Sequence, residues 1–329
     1  MLRDSCWLIL VVAISAAAGV ANAQETPERD LSDLARETPE LDLVDQVKMR
    51  LKLQSEFAPD SDFGSFSIDE YRPEARLKIT VPVSSQMGLR IIAGHSVEVF
   101  DFDGTSNLFG LGPTSSDPFD ELHASTFRLQ GAYLFEDCCA LLADDERWSL
   151  LGEGFWKGRW EAGADLGSGS RGGGTLAVGY QIPGRLELAL GVQVSSKLLS
   201  SGVGVSPVVE FKWKISDRWM LKSNGAGAQL EYLLRDGLTV FALGRRHSRS
   251  YRLDDRPGGV GKGRIRITRI PAGLGLRWNV LPWLRVTTTA GVLAWQELDL
   301  EDHNGDDLSD PTADPTPWFR LRFDFRPEH

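Results

Sequence analysis

Segments in which apolar and polar residues alternate dominate this chain, and the two clearest lie near its middle, at 185–196 and 203–215. Strict alternation over this length predicts a β-strand with one apolar and one polar face. In the first run the apolar positions are Leu186, Leu188, Leu190, Val192 and Val194. Similar segments recur through most of the 329 residues, and this recurrence predicts an all-β protein.

The first 23 residues have the organisation of a secretory signal peptide. Arg3 precedes an apolar core at Trp7–Val20, and the end of the segment has the Ala-x-Ala form of a cleavage site. We therefore expect export of the chain and cleavage between Ala23 and Gln24. Residues 24–42 are predicted to be an acidic flexible leader, and residues 43–329 a single β-barrel domain.

No apolar run after residue 23 is long enough for a membrane-spanning helix. An exported chain of alternating strands is then either a soluble β-protein or an outer-membrane barrel. Short joints alternate with longer joints rich in Gly, Asp and Ser, as expected for an antiparallel up-and-down barrel with periplasmic turns and outer loops. The pattern therefore predicts a transmembrane antiparallel up-and-down β-barrel.

The joints predict fourteen strands if two decisions are made. Glu136–Arg147 must be a periplasmic turn, and Ser223–Ala226 must be a tight outer turn that divides 218–234 into two strands. If 218–234 is one strand, twelve strands is the alternative. The predicted strands are 44–57, 71–83, 87–101, 122–135, 147–157, 174–182, 185–196, 203–215, 218–223, 227–234, 237–253, 263–280, 283–300 and 317–325.

The last strand predicts an outer-membrane location in a Gram-negative bacterium. Phe319, Leu321, Phe323 and Phe325 alternate with polar residues near the C-terminus. A closing amphipathic strand that ends in an aromatic residue looks like the signal read by the barrel-assembly machinery, so this machinery and outer-membrane lipid are the expected partners. Trp residues beside the inferred short turns indicate an aromatic girdle at the membrane interface.

The whole mature chain resembles a family of bacterial outer-membrane β-barrel proteins known mainly as a domain of unknown function. The resemblance implies the fold and the location, and it brings no activity with it. The stretches that carry it are Trp148–Leu151, Glu161–Leu166, Ile215–Trp219, Arg252–Asp255, Gly275–Trp278 and Glu297–Pro315.

The charged residues of the polar faces predict the lining of a pore, because a charge on the lipid side costs about 2–4 kcal/mol near the midplane. Both signs are present and neither dominates in the sequence. The expected function is a passive pore for small polar solutes. The alternatives are a non-conducting structural or lipid-contacting barrel with a plugged lumen, and a soluble exported β-sandwich. The predicted pore-lining residues are Arg76, Lys78, Arg90, Glu98, Glu187, Glu210, Lys212, Lys214, Arg320, Arg322 and Asp324.

A basic cluster at one inferred outer end stands out in a chain whose net charge is −10. Such a cluster can contact anionic solutes or the phosphate groups of outer-leaflet lipid, and a solvated loop balanced by nearby acids is the alternative. The acidic balance of the chain argues against nucleic acid as a partner. The candidate anion- or lipid-contacting residues are Arg245, Arg246, Arg249, Arg252 and Arg256.

The remaining motifs do not predict an enzyme, a cofactor or a metal site. Loop 299–310 has calcium-loop spacing at Asp302, Asn304 and Asp306, but it lacks the Gly at the sixth position and the bidentate Glu at the twelfth, so an acidic solvated loop is the stronger interpretation. Five scattered His residues match no catalytic motif. The adjacent Cys138 and Cys139 form no disulfide framework and have no assigned role.

Overall fold

The structure is a computed structural model that describes residues 47–104, 119, 121–135, 146–196, 202–223, 225–255, 262–304 and 306–327. The predicted signal peptide with Ala23 and Gln24, the acidic leader, Cys138, Cys139 and Arg256 lie outside these residues. Within these ranges, no helix has the length and apolar character needed to cross a membrane.

Sixteen β-strands lie in the described ranges. They are β1 (Lys48–Asp62), β2 (Phe66–Pro82), β3 (Met87–Gly104), β4 (Leu122–Phe135), β5 (Arg147–Glu161), β6 (Ser170–Ile182), β7 (Leu186–Ser196), β8 (Val203–Lys214), β9 (Trp219–Ser223), β10 (Ala226–Arg235), β11 (Leu238–Arg252), β12 (Arg264–Leu281), β13 (Leu284–Glu301), β14 (Asp307–Ser309), β15 (Thr312–Ala313) and β16 (Thr316–Phe325).

Fourteen of these strands close into an antiparallel barrel. Strands β1 to β13 pair each with the next, and β16 fills the last place between β13 and β1. The short strands β14 and β15 pair only with β13, beside the ring. The predicted fold and the count of fourteen are confirmed, because β9 and β10 are separate strands joined by a turn with Gly225 at a φ of 62°.

The alternation places apolar side chains outside and polar side chains inside. In β1, Lys52 and Glu56 are buried in the barrel, whereas Leu53 and Phe57 are exposed. The row at Leu190, Val192 and Val194 is 44–51% exposed. The soluble-sandwich alternative is therefore wrong for the described strands, since it requires a second sheet over this row. An exposed apolar band around a closed barrel is the outer surface of an outer-membrane protein.

Aromatic rings form a girdle at the end of the barrel that carries the short turns. Ring pairs occur there with centroids 4.7 to 6.4 Å apart, in one case within β4 and in the others between neighbouring strands or the turn beside them. Amphipathic rings of this kind sit at the level of lipid headgroups. The short-turn end is the periplasmic end in barrels of this type. The pairs are Tyr133–Phe135, Trp148–Tyr180, Trp219–Tyr232 and Trp283–Phe325.

The joint predicted at 58–70 is wrong in length, because the pairing of β1 with β2 continues outward beyond it. Only residues 63–65 separate the two strands. Gly64 there has a φ of 85°, which an L-residue rarely adopts, and its N–H donates to Asp62. The pairing extends because Phe66 and Ile68 bury their side chains inside the outer end of the barrel.

Along β12 the apolar residues change from the inward to the outward face of the barrel, although the strand itself contains no bulge. Ile265 and Ile267 suggest one phase in the sequence and Leu274 and Leu276 the other, and a bulge within β12 is the simple expectation. The register between β12 and β11 is instead unbroken along the whole pairing. The bulge at this level lies in β13, which has one residue more than β12 there. Ile265 and Ile267 are fully buried inside, and Leu274 faces lipid at 71% exposure.

The barrel wall is interrupted in its outer half between β8 and β11. Strand β8 pairs with β9 only at Lys212–Lys214, where β9 ends. Above this level the Ser223 hydroxyl bonds the N–H and C=O of Phe211. At its outer end β11 bridges instead to β5, where Arg252 pairs with Trp160 in parallel. Strands β1 to β5, β11 to β13 and β16 therefore form a narrower ring at the outer end.

Pro207 lies where this interruption tolerates it. The N–H of Lys214 donates to the C=O of Arg185 in the ladder with β7, so the even residues of β8 bond β7 and the odd residues point to the β9 side. The position without an N–H therefore faces the unpaired side, as is usual for proline on an edge strand.

A second proline on the unpaired side should accordingly be tolerated. We expect Val205→Pro to leave barrel folding intact, whereas Ser206→Pro removes a donor to β7 and lowers the yield of folded barrel several-fold. Both sites are near the outer end, so each variant is a control for the other. Folded barrel is measured as the band that changes its electrophoretic mobility on boiling. Equal yields of the two variants would contradict the assignment of the edge.

Candidate functional site

The barrel interior has three levels along its axis. The level nearest the short-turn end is a water-accessible cavity of about 1160 Å³. Its lining includes Lys48, Pro282 and Pro327 at the short-turn end, so the cavity opens toward the periplasm. Of the residues that the structure describes, fifteen Lys or Arg side chains and four carboxylates line it, although the full sequence has 36 basic and 46 acidic residues. The sequence shows no such excess of one sign, because residues from most strands meet in the cavity only after the barrel closes. The four carboxylates belong to Glu74, Glu210, Glu231 and Asp324.

Five arginines lie at the cavity entrance, and we call them the entrance arginines: Arg50, Arg277, Arg285, Arg322 and Arg326. They come from the periplasmic ends of β1, β12, β13 and β16 and from the residue after β16.

The carboxylate of Asp324 is fully buried among these arginines. Arg50 donates to its Oδ1 at 2.8 Å, and the Nε of Arg322 lies 3.0 Å from its Oδ2. At the same entrance, Arg277 forms a two-bond contact with Glu231 at 2.8 and 3.0 Å. The entrance therefore already binds carboxylates through guanidinium groups.

Above the cavity, a layer of buried ion pairs crosses the barrel. Glu98 is its centre and is inaccessible to solvent. Its Oε1 accepts from Arg249 at 2.7 Å and from the hydroxyl of Tyr251 at 2.9 Å. Arg72 and Arg269 each lie 3.4 Å from one of its oxygens.

Two further carboxylates complete this ion-pair layer. Glu56 contacts Arg72 at 2.5 Å and lies 3.6 Å from Arg245 and 3.9 Å from Arg320. Glu70 contacts Arg269 at 2.6 Å. The layer thus joins β1, β2, β3, β11, β12 and β16 by long-range contacts, and every member is at most 8% exposed.

The outermost level is an apolar core that fills the narrowed end of the barrel. Phe119 packs edge-on against Phe100 and Phe102 at 5.0 and 5.1 Å. Ile265 and Ile267 of β12 and Leu298 and Leu300 of β13 belong to the same core, and each is at most 1% exposed. Tyr251 joins this core to the ion-pair layer, because its ring packs in the core and its hydroxyl donates a hydrogen bond to Glu98. The axis of the barrel is therefore closed outside the cavity.

The predicted pore-lining residues all lie on strand positions that face the interior, at different levels. Arg90 is fully buried and donates to Gln130, and Glu98 belongs to the ion-pair layer. Glu187 pairs with Lys212 at 2.9 Å, and Lys214 pairs with the exposed Asp217 at the rim. The remaining predicted residues that line the cavity, besides Lys212, are Arg76, Lys78, Glu210, Arg320, Arg322 and Asp324.

The predicted outer anion- or lipid-contacting cluster needs correction. Arg245 and Arg249 are buried inside the barrel in the ion-pair layer, because their strand positions share the inward face of Tyr251. Arg246 and Arg252 are half-buried on the other face of β11. Arg256 lies outside the described residues. The cluster is therefore divided between two faces of one strand.

The acidic outer loop is stabilised by its own groups. The backbone N–H groups of Asp306 and Asn304 donate to the carboxylate of Asp302 and lower its pKa. Three other carboxylates approach one another at Asp299, Glu301 and Asp307. Arg264 and Arg266 pair with Asp299 and Glu301, so two of the three negative charges have a basic partner.

No protein-family model matches the chain, and no curated protein matches it. Among solved structures it is similar to a FadL homologue from Pseudomonas aeruginosa, at 11% identity and a TM-score of 0.43, with 92% of this chain and 99% of the other covered. It is also similar to the toluene transporter TodX from Pseudomonas putida, at 8% identity and a TM-score of 0.37, with 92% of this chain and 95% of the other covered. The translocator domain of the autotransporter NalP from Neisseria meningitidis matches at 10% identity and a TM-score of 0.32, with 90% of this chain and 93% of the other covered. Because these identities and TM-scores are low, the barrel architecture is established by the strand pairing of this chain and not by the comparisons.

Proposed function

We propose that the protein is an outer-membrane channel for small polar solutes, with the periplasmic cavity as its solute vestibule and with the ion-pair layer and the adjoining apolar core as its closed gate. The observation that carries the proposal is the cavity itself. A barrel with a purely structural role does not need a charged, water-accessible cavity of about 1160 Å³ in its interior. Several solved barrels of similar architecture are named as channels or transporters, among them a monoaromatic hydrocarbon channel and a porin.

A non-conducting barrel is the second candidate, and a specific observation favours it. The ion-pair layer and the apolar core close the axis, so passage requires that their contacts separate. The two candidates differ in a planar bilayer. A channel gives stepwise currents proportional to salt concentration, and a permanently plugged barrel gives none.

The hydroxyl of Tyr251 offers a direct test of the gate. Tyr251→Phe removes one hydrogen bond to Glu98 and leaves every charge and the apolar ring in place. A hydrogen bond to a charged group contributes about 1.5–3 kcal/mol. We therefore expect the open probability in a planar bilayer to rise about tenfold or more.

Tyr133→Phe is the matched control, since this exposed tyrosine donates to Gln86 near the short-turn end of β4, away from the ion-pair layer. It should leave the open probability unchanged. If wild type and Tyr251→Phe are both silent in folded form, the channel proposal fails and the plugged barrel stands. If both tyrosine variants raise the current equally, the ion-pair layer is not the gate.

A further inference from the structure

We propose that the entrance arginines form a binding site for multivalent oxyanions, that is, solutes carrying two or more carboxylate or phosphate groups. The inference deepens the channel function by naming its solute class, and it rests on that function for its biological role. The site itself stands on the charges and contacts of the cavity entrance.

The first step is the local charge. Arg50, Arg277 and Arg326 all lie close enough to Arg285 to act on its charge. Two carboxylates of the cavity lining compensate part of this charge, since Asp324 contacts Arg50 and Arg322 and Glu231 contacts Arg277. Like charges held together in a half-buried place repel one another, and a bound anion relieves this repulsion. The entrance therefore favours solutes that bring several negative charges.

The second step is the geometry of the donors. A guanidinium group presents a planar fork that matches a carboxylate or phosphate. Asp324 already occupies Arg50 and Arg322, and Glu231 occupies the two terminal nitrogens of Arg277. Within the described part of the chain, the buried Nε atoms of Arg277 and Arg326 have no hydrogen-bond partner. Arg285 bonds through its Nε to the neutral amide of Asn279.

The third step is access and selectivity. The arginines stand at the mouth of the cavity, and ten further Lys and Arg side chains outnumber the four carboxylates of its lining. A solute that enters meets the same sign of charge along its path. A cation of similar size is repelled at the same place, so the site discriminates by charge before shape.

Isothermal titration calorimetry of the folded full barrel in zwitterionic detergent at low ionic strength tests the site. The probes are citrate and pyrophosphate as multivalent oxyanions, acetate as a monovalent carboxylate, and spermidine as a polycation. We expect citrate and pyrophosphate to bind, with an affinity that falls steeply as salt is added. Acetate should bind at least tenfold more weakly, and spermidine should not bind.

The double variant Arg285→Gln with Arg326→Gln should weaken citrate binding at least tenfold. Arg185→Gln with Arg235→Gln is the matched control. It removes the same charge at the same end of the barrel from exposed arginines that do not line the cavity, and it should bind citrate like wild type. The mobility shift on boiling shows that each variant is folded.

The two proposals fail in different ways. Citrate binding that is equal in both double variants, or binding of spermidine as tight as that of citrate, overturns the oxyanion site. A folded barrel that binds citrate but never conducts supports the site and overturns the channel. A conducting barrel that does not bind citrate overturns the site and leaves the channel in place.

Discussion

Replacing Glu98 by glutamine is expected to lower the free energy of unfolding by about 3–5 kcal/mol, because breaking a buried ion pair from one side leaves uncompensated charge in the interior. Glu98 is inaccessible to solvent and contacts Arg72, Arg249 and Arg269. Glutamine keeps the shape and a hydrogen-bond acceptor, but it removes the close carboxylate partner of Arg249, whereas Arg72 and Arg269 keep Glu56 and Glu70. The measurement is urea-induced unfolding of the barrel in lipid vesicles, followed by tryptophan fluorescence and by mobility on unboiled gels.

Glu187→Gln is the matched control for this experiment. It makes the same chemical change inside the barrel, but Glu187 and its partner Lys212 keep 16% and 17% of their side-chain surface exposed. A loss of about 1 kcal/mol or less is expected there, as for partly solvated pairs. Equal losses in the two variants would show that the ion-pair layer is not the stabilising core of the interior.

A double-mutant cycle separates the loss of Glu98 from general disruption. Arg249→Met in the Glu98→Gln background removes one of the guanidinium groups that has lost its partner. We expect the double variant to be more stable than the sum of the two single losses predicts, because contacting residues couple by about 0.5–3 kcal/mol. Additive losses would contradict the direct contact at 2.7 Å.

Reversing charge at the cavity entrance should have the largest effect on ion selectivity. Arg285→Glu with Arg326→Glu changes the local charge by four units. Each unit charge at a distance of about 10 Å in water contributes about 0.4 kcal/mol before screening. The anion-to-cation permeability ratio should therefore fall by a factor of about three to ten. The reversal potential under a salt gradient, with chloride and potassium as the ions, measures this change.

Lys212→Glu with Lys214→Glu makes the same change of four units away from the entrance arginines. Lys212 already pairs with Glu187, and Lys214 lies at the rim beside Asp217. We expect a smaller shift of the reversal potential for this pair. A larger shift than for the arginine pair would place the selective point near β8 and not at the entrance.

Some interior features left a signal in the sequence that simple alternation overlooks. The phase of Ile265 and Ile267 is shared by Arg269 and Arg277 further along β12, and charged residues within the membrane-spanning part of a barrel face inward. Arg264 and Arg266 beside the isoleucines have the opposite phase, because they pair with Asp299 and Glu301 at the outer end. The charges further along β12 therefore indicate its interior face, whereas those next to the isoleucines conceal it.

The sequence by itself determined the barrel and the inward or outward face of most side chains, and it reduced the strand count to fourteen or twelve, which the separate strands β9 and β10 then decided. These properties depend on local alternation and turn composition, which a period of two expresses directly along the chain. The interrupted wall beside Pro207, the closed ion-pair layer and the basic cavity were decided only by the tertiary structure. Arg249 meets Glu98 across 151 residues of sequence, and charge of one sign accumulates in the cavity because strands distant in sequence bring their inward residues together. Neither the register between such strands nor the length of their pairing is encoded in the pattern of any single strand, so these contacts become visible only when the ring closes.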